Sequence, residues 1–241
     1  MQEKALIIVP CYNEANRLDV DSFNTFLLTE TELDFCFVND GSIDNTLDVL
    51  KTLASSKNAY VLNLATNVGK AEAIRQGVLQ FKDKNYAHIG YLDADLSTSL
   101  KEIKRLYNLK DEHSHFILGS RFKKMGSSIK RSKTRHFFGR IVATFVDSMI
   151  LKLGIYDTQC GAKIIKTDLA KTIFKDTFKT KWLFDIELLA RTKKQFGKEY
   201  CKRHIVEVPL TQWIDNEDTR ITFLDFLKTP FALVKLYFNY K

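Results

Sequence analysis

The sequence predicts an α/β fold, a mainly parallel sheet flanked by helices, and three observations predict it. Short β-rich runs alternate with helical patterns through the first half of the chain, the signature of right-handed βαβ crossovers. The runs are apolar on both faces, as in Phe35-Cys36-Phe37-Val38, which suits strands covered by helices on both sides. Polar residues gather where the runs end, and the carboxyl ends of strands are where such sheets bind ligands. Strands are predicted over 5–10, 34–39, 59–64, 88–93 and 116–120, with helices over 19–28, 43–54, 69–82 and 99–109. Pro10–Glu14, Asn39–Ser42, Asn67–Lys70, Asp93–Asp95 and Gly119–Arg121 follow the five strands in turn, so five polar strand ends converge on one crevice.

The second half reads as more helical. Over 137–153, Phe138, Ile141, Val142, Phe145, Met149 and Leu153 form one apolar stripe at helical spacing. A short strand at 163–165, a helix through 185–192 and a strand at 204–210 precede a helix-prone stretch, 223–240, expected to break at Pro230. That tail resembles an interfacial helix, with core packing an equal alternative on pattern alone.

With 241 residues, 45% of them apolar and 12% aromatic, the chain can bury a large core, which rules out disorder. Only 3 Pro and 10 Gly leave no linker, so one folding unit over 1–241 is expected. Lys and Arg number 37 against 29 acids, a net charge of +8. All of that excess lies between Arg121 and Arg140, where eight cations stand with no acid among them. Cys11, Cys36, Cys160 and Cys201 lie far apart without a Cys-x-x-Cys pair and are expected as buried small hydrophobes. The first residues run straight into a strand, and no apolar run approaches the ~18 residues of a spanning helix. A cytoplasmic protein is therefore expected.

Asp93 and Asp95 carry the sharpest chemical signal. Two residues apart at a strand end, their carboxylates project to one side, and Mg2+ or Mn2+ needs only one or two protein carboxylates when phosphates and water complete its shell. An isolated Asp-x-Asp is more often a helix cap, and Asp95 or Ser97 could cap a helix starting near Ser99; the other strand ends favour the metal. Around Asp40, a turn at Gly41 and capping by Ser42 or Asp44 explain the neighbours but not Asp40 itself, which is expected to face the crevice as an acceptor for a base or a ribose hydroxyl. Glu14 offers a similar acceptor, and Lys70 sits at a helix start, where anions bind. No G-x-G-x-x-G and no Walker A loop follow the first strand, which argues against a dinucleotide enzyme.

Four motifs in order, Pro10-Cys11-Tyr12-Asn13-Glu14, Val38–Thr46, Asn67-Val68-Gly69-Lys70 and Asp93-Ala94-Asp95, resemble the family 2 glycosyltransferases, whose GT-A fold is a Rossmann-like sheet flanked by helices. Gly119-Ser120-Arg121, Asp157–Lys163 and Trp182–Leu189 look like the branch that glycosylates polyprenyl phosphates, and the likeness runs from about residue 5 to about 230. The metal motif departs from the glucosyl branch, continuing Leu96-Ser97 where Gly-Ala-Thr is expected. The resemblance implies a nucleotide-sugar donor, UDP-glucose, bound through Pro10, Tyr12, Glu14, Asp40, Lys70, Asp93, Ala94 and Asp95, with Asp93 and Asp95 holding Mg2+ or Mn2+. It implies a donor-binding half over about 1–120 and an acceptor-binding half over about 121–241. It also implies inversion by a single displacement.

The acceptor decides which other residues matter. A phosphate monoester is already largely dianionic at neutral pH and needs cations more than a base; Arg121, Arg131 and Arg135 suit it, because guanidinium meets phosphate bidentately. A glycan hydroxyl, the alternative acceptor, needs a base, for which Asp185 is preferred over Glu187. The catalytic candidates are thus Asp95, Asp185 and Arg121. Eight cations ahead of an amphipathic helix, with an aromatic-rich helix at the C-terminus, suit an anionic membrane surface. A nucleic-acid partner is excluded, because Phe122, Phe137 and Phe138 are the only aromatics among the cations and the crevice acids would repel a phosphate chain. An oligomer is compatible with every feature above.

Overall fold

The computed structural model describes residues 3–130, 133–215 and 223–240, without the side chains of 133–138, 141 and 223–228. The elements of the first half follow in order: β1 (Ala5–Cys11), α1 (Val20–Thr29), β2 (Leu33–Asp40), α2 (Thr46–Leu53), β3 (Ala59–Leu64), α3 (Lys70–Phe81), β4 (His88–Leu92), α4 (Leu100–Asn108) and β5 (Phe116–Ser120). The second half adds β6 (Ser128–Lys130), α5 (Lys133–Val146), a π-helical turn (Asp147–Leu151), β7 (Ala162–Lys166), α6 (Thr167–Ile173), α7 (Phe184–Phe196), α8 (Lys198–His204), β8 (Ile205–Pro209), β9 (Gln212–Ile214) and α9 (Phe223–Tyr240).

One seven-stranded sheet runs β3-β2-β1-β4-β7-β5-β8, and β6 and β9 pair separately. Side chains of a strand alternate between its faces, and the core divides accordingly. Leu6 and Ile8 of β1 join Cys36 and Val38 of β2 in one apolar cluster, while Ala5, Ile7 and Val9 join Phe35 and Phe37 in the other. Helices cover both, so each buried Leu, Ile or Phe contributes about 1.5–3 kcal/mol. The four cysteines are all buried, as their spacing predicts.

Six strands run in one direction and β7 opposes its neighbours, antiparallel to both β4 and β5. This reversal has a local consequence. A parallel strand would begin at the far edge of the sheet, but β7 begins beside the carboxyl end of β4, with Leu92 opposite Ala162 and Tyr91 opposite Lys163. Residues 160–163 therefore enter the crevice at which the strands converge.

Two expectations are corrected in the C-terminal half. The final helix runs unbroken through Pro230, because the proline is exposed and its lost hydrogen bond is offset by Leu233 and Leu236, which are buried against α7 and the π-helical turn. Glu187 is no crevice base. It is fully buried and accepts from the amides of Lys179 and Thr180 at 2.9 and 3.2 Å, from Arg191 at 2.8 Å and from the Tyr240 hydroxyl at 2.8 Å. That carboxylate fastens α9 and the loop before α7 to the body of the protein. Glu187→Ala removes the carboxylate partner of the part-buried Arg191, together with the acceptor of Lys179, Thr180 and Tyr240, and should lower unfolding free energy by about 3–5 kcal/mol in urea denaturation; a loss below about 1 kcal/mol would contradict this account.

Candidate active site

The loops after β1, β2 and β3 interlock before any side chain faces the crevice. Asn13, at φ 50°, donates its amide to Ser42 Oγ at 3.0 Å and accepts from the Ile43 amide through Oδ1 at 3.0 Å. The Glu14 amide donates to Thr46 Oγ1 at 2.7 Å. Gly41 sits at φ 61°, and a Cβ there would strike the backbone of Thr66 and Asn67, so this turn needs glycine.

Asp40 is tied into the loop that follows β3. Its two carboxylate oxygens accept the amides of Val68 and Gly69 at 2.7 and 2.9 Å, and the residue is buried. Rather than simply facing the crevice, Asp40 fastens the loop that presents Lys70. The carboxylate holds that loop because Gly69, at φ 90°, opens α3 and points successive amides back toward β2. Glu14 is buried within 3.7 Å of Arg17, Tyr12 and Pro10 are half-buried at the end of β1, and Ala94 is buried between the two acids.

Asp93 and Asp95 follow β4, and Lys70, at the first turn of α3, pairs with Asp93 Oδ1. Ser99 caps α4, accepting from the Glu102 amide at 3.3 Å, so neither Asp95 nor Ser97 is needed as the cap. Asp95 instead accepts from the Ser97 amide at 2.9 Å. Burial, and then the charge of Asp93, raise the Asp95 carboxyl above the ordinary carboxylate value despite that hydrogen bond. Burial opposes the charge on Lys70, but Asp93, Asp185 and Asp95 outweigh it and raise its pKa. Two neighbouring hard oxygen donors whose charges oppose each other fit a divalent cation. Among the described residues no group of three or more His, Cys, Asp or Glu gathers to hold a metal; an ion held by the pair would complete its shell with water and phosphate oxygens.

Beneath this pair lies a buried polar triad that the sequence alone did not reveal. Lys163 of β7 has no exposed surface and donates to Asp185 Oδ1 at 2.5 Å and to the Cys160 carbonyl at 2.7 Å. Tyr91, directly opposite on β4, donates its hydroxyl to the same Asp185 oxygen. Burial and the Asp185 charge hold the Tyr91 phenol far above its usual pKa, so it stays a donor. Asp185, expected as a base, is buried and serves as the shared acceptor of the Lys163 ammonium and the Tyr91 phenol. The visible signal was a lysine inside the apolar run Ala162–Ile165.

Arg121 is also more committed than its motif suggested. Its Nε and Nη2 meet Asp157 bidentately at 2.6 and 2.8 Å, and its amide reaches the same carboxylate at 3.0 Å. Glu207 of β8 in turn accepts the amides of Tyr156 and Asp157 at 2.8 and 2.7 Å. Burial opposes the Arg121 charge, but Asp157 prevails and raises its pKa. Trp213, nearly buried, places its ring 5.4 Å from the guanidinium; Trp182 is exposed. Arg140, from α5, stacks 3.8 Å over Tyr156 and donates to its carbonyl at 2.6 Å. Arg121 and Arg140 border a cleft of about 20 Å3, enough for one water. Arg131 lies outside the described residues, and Arg135 lies on α5 with its side chain outside them.

The sequence profile of glycosyl transferase family 2 matches residues 6–174. A dolichyl-phosphate beta-glucosyltransferase of Trichomonas vaginalis is 30% identical over 95% of this chain and 72% of its own. The enzyme of the same description from Homo sapiens is 28% identical over 89% of this chain and 68% of its own. Among solved structures, glucosyl-3-phosphoglycerate synthase from Mycobacterium tuberculosis in complex with uridine diphosphate superimposes with a TM-score of 0.70 at 14% identity, over 98% of this chain and 79% of that one. The same synthase with Mn2+, UDP-glucose and phosphoglyceric acid gives a TM-score of 0.67 at 15% identity, over 98% and 79%. These neighbours share the GT-A fold with this chain.

The buried triad makes a direct prediction. Lys163→Met leaves the Asp185 carboxylate buried without its cation and should cost about 3–5 kcal/mol in urea denaturation, whereas Lys163→Met with Asp185→Leu should regain at least half of that loss. An undiminished single variant would mean that Lys163 is not the counter-ion.

Proposed function

The chain belongs to glycosyl transferase family 2 and is a glycosyltransferase, and on that premise we propose that it transfers glucose from UDP-glucose to a polyprenyl phosphate with inversion. The observation that carries this reading is the juxtaposition of Asp93, Asp95 and Lys70 at the carboxyl end of β4. The similarity to dolichyl-phosphate beta-glucosyltransferases over most of the chain supports the lipid phosphate and the glucosyl donor.

In this reading Asp93 and Asp95 hold Mg2+ or Mn2+, which when bound stabilises the negative charge of the departing diphosphate. Lys70 lies within reach of the same phosphates at the start of α3, where the first amides of a helix favour anions. Pro10, Tyr12, Glu14, Asp40 and Ala94 form the nucleotide wall, with Asp40 acting through the loop that it fastens. A dianionic phosphate attacks without surrendering a proton, which agrees with Asp185 being committed to Lys163 and Tyr91. Arg121, aligned by Asp157, supplies cationic guidance to the acceptor, together with Arg131 and Arg135 of the basic stretch. A glycan hydroxyl as acceptor would require a base, whereas Asp185 is already the acceptor of Lys163 and Tyr91.

We place the enzyme peripherally on the cytoplasmic face of an anionic membrane. No helix among the described residues is long and apolar enough to cross one. Yet α9 turns Phe231, Val234 and Phe238 outward at 79%, 55% and 78% exposure while its opposite face packs into the core, and Phe145 and Met149 are exposed beside the π-helical turn that α9 touches. Exposed Lys152, Lys194 and Lys235 accompany these side chains, and each basic residue near an anionic leaflet contributes about 1 kcal/mol.

Labelled-sugar transfer decides the first claim. UDP-glucose with a polyprenyl phosphate should give a lipid-linked product in the presence of Mg2+ or Mn2+, and Asp95→Asn should lower the rate at least about 100-fold; full metal-dependent activity in that variant refutes the acidic pair. Flotation tests the second. The protein should rise with anionic liposomes at low salt, and Phe231→Ser with Phe238→Ser should leave it behind; failure of the unaltered protein to bind at low salt removes the membrane assignment.

A further inference from the structure

Gly161 lies at the start of β7, where the antiparallel strand enters the crevice beside Asp93. Its φ is outside the left-handed region that favours glycine, so the backbone here would accept any residue. What forbids a side chain is a neighbour. A Cβ built on Gly161 would fall inside the van der Waals envelope of the Asp93 side chain, closest to Oδ2, then Cγ, with Oδ1 at 2.8 Å, against the 3.0 Å below which real Cβ contacts essentially do not occur. All three of its nearest atoms belong to that one carboxylate. Neither residue can withdraw, because the Asp93 amide donates to the Gly161 carbonyl at 3.2 Å and the adjoining residues are in register in the sheet.

We infer that Gly161 is a positioning residue for Asp93: the missing side chain is the space that lets the carboxylate occupy the rotamer in which it meets Lys70 and lies alongside Asp95. Side-chain torsions occupy discrete staggered wells, so a methyl group at this position does not nudge the carboxylate but sends it to another well, away from Lys70. Lys70 bounds the carboxylate on one side through Oδ1 and Gly161 on the other through Oδ2. The metal-binding consequence rests on the proposed role of Asp93 and Asp95, whereas the positioning itself does not.

The experiment combines a crystal structure, a stability cycle and a metal titration. In crystals of Gly161→Ala, Asp93 should have left Lys70; an Asp93 still paired with Lys70 overturns the inference. In thermal unfolding, Gly161→Ala should lower the midpoint in the natural background and leave it unchanged when Asp93→Ala has already removed the carboxylate. An equal loss in both backgrounds, or failure of both forms to fold, would mean that glycine is needed for another reason and overturns it too. In a Mn2+ titration followed by electron paramagnetic resonance with UDP present, Gly161→Ala should weaken binding about 10–100-fold. Wild-type affinity in that variant, alongside loss in Asp93→Asn, overturns the inference alone. If the unaltered protein binds no Mn2+, the metal reading falls, and the crystal structure and the stability cycle still decide the role of Gly161.

Discussion

The crevice depends on one buried cation, Lys163. An ammonium with no exposed surface is tolerable only when a negative partner and further acceptors surround it, and the structure provides Asp185, the Cys160 carbonyl and, through their shared acceptor, Tyr91. These groups come from β7, the loop before it, β4 and α7, so one electrostatic requirement fixes the relative placement of four segments. Asp93 projects just above, from the residue after the same β4. The charges then alternate outward: Lys163, Asp185, Lys70, Asp93. The inner pair is buried and depends on protein partners, whereas Lys70 and Asp93 are partly open to water.

A similar arrangement recurs at the edge of the sheet. Glu207 orders the backbone of Tyr156 and Asp157, Asp157 orders Arg121, and Arg121 lies near Trp213 on the short β6–β9 ribbon. Both places hold a cationic side chain, Lys70 or Arg121, against a carboxylate. A cation held in this way keeps its charge, since neighbouring carboxylates outweigh the burial that would remove it.

Local chemistry made the first five strands and four helices legible, because hydrophobic period, turn residues and capping all agree there. Strand ends follow from the same pattern, and so the sequence places Asp93, Asp95 and Lys70 at one end of the sheet, where Lys70 and Asp93 meet. What could not be read was pairing. That β7 runs antiparallel between β4 and β5 follows from no local feature of Ala162–Lys166, yet it brings Lys163 under Tyr91 and Gly161 against Asp93. Arg121 and Asp157 are 36 residues apart, and no spacing rule links them. Asp40 could be singled out as unexplained by its turn, but its partners are amides of a distant loop, and amides carry no side-chain signature. The helix through Pro230 is held by packing of its own Leu233 and Leu236 against α7 and the π-helical turn, partners that no pattern within 223–240 displays.

The interlocked loops bear on the entropy of binding. Asn13, Glu14, Asp40, Ser42, Thr46, Val68 and Gly69 are tied to one another across three strand ends by hydrogen bonds made wholly within the protein. Fixing the backbone of a free loop costs about 1–2 kcal/mol per residue, and a ligand that had to order such loops would surrender that much of its affinity. Here the cost is met during folding, by glycines that permit the turns and by carboxylate and hydroxyl groups that hold them. A ligand entering this crevice meets loops whose hydrogen bonds are already made, so its contacts need not supply their ordering.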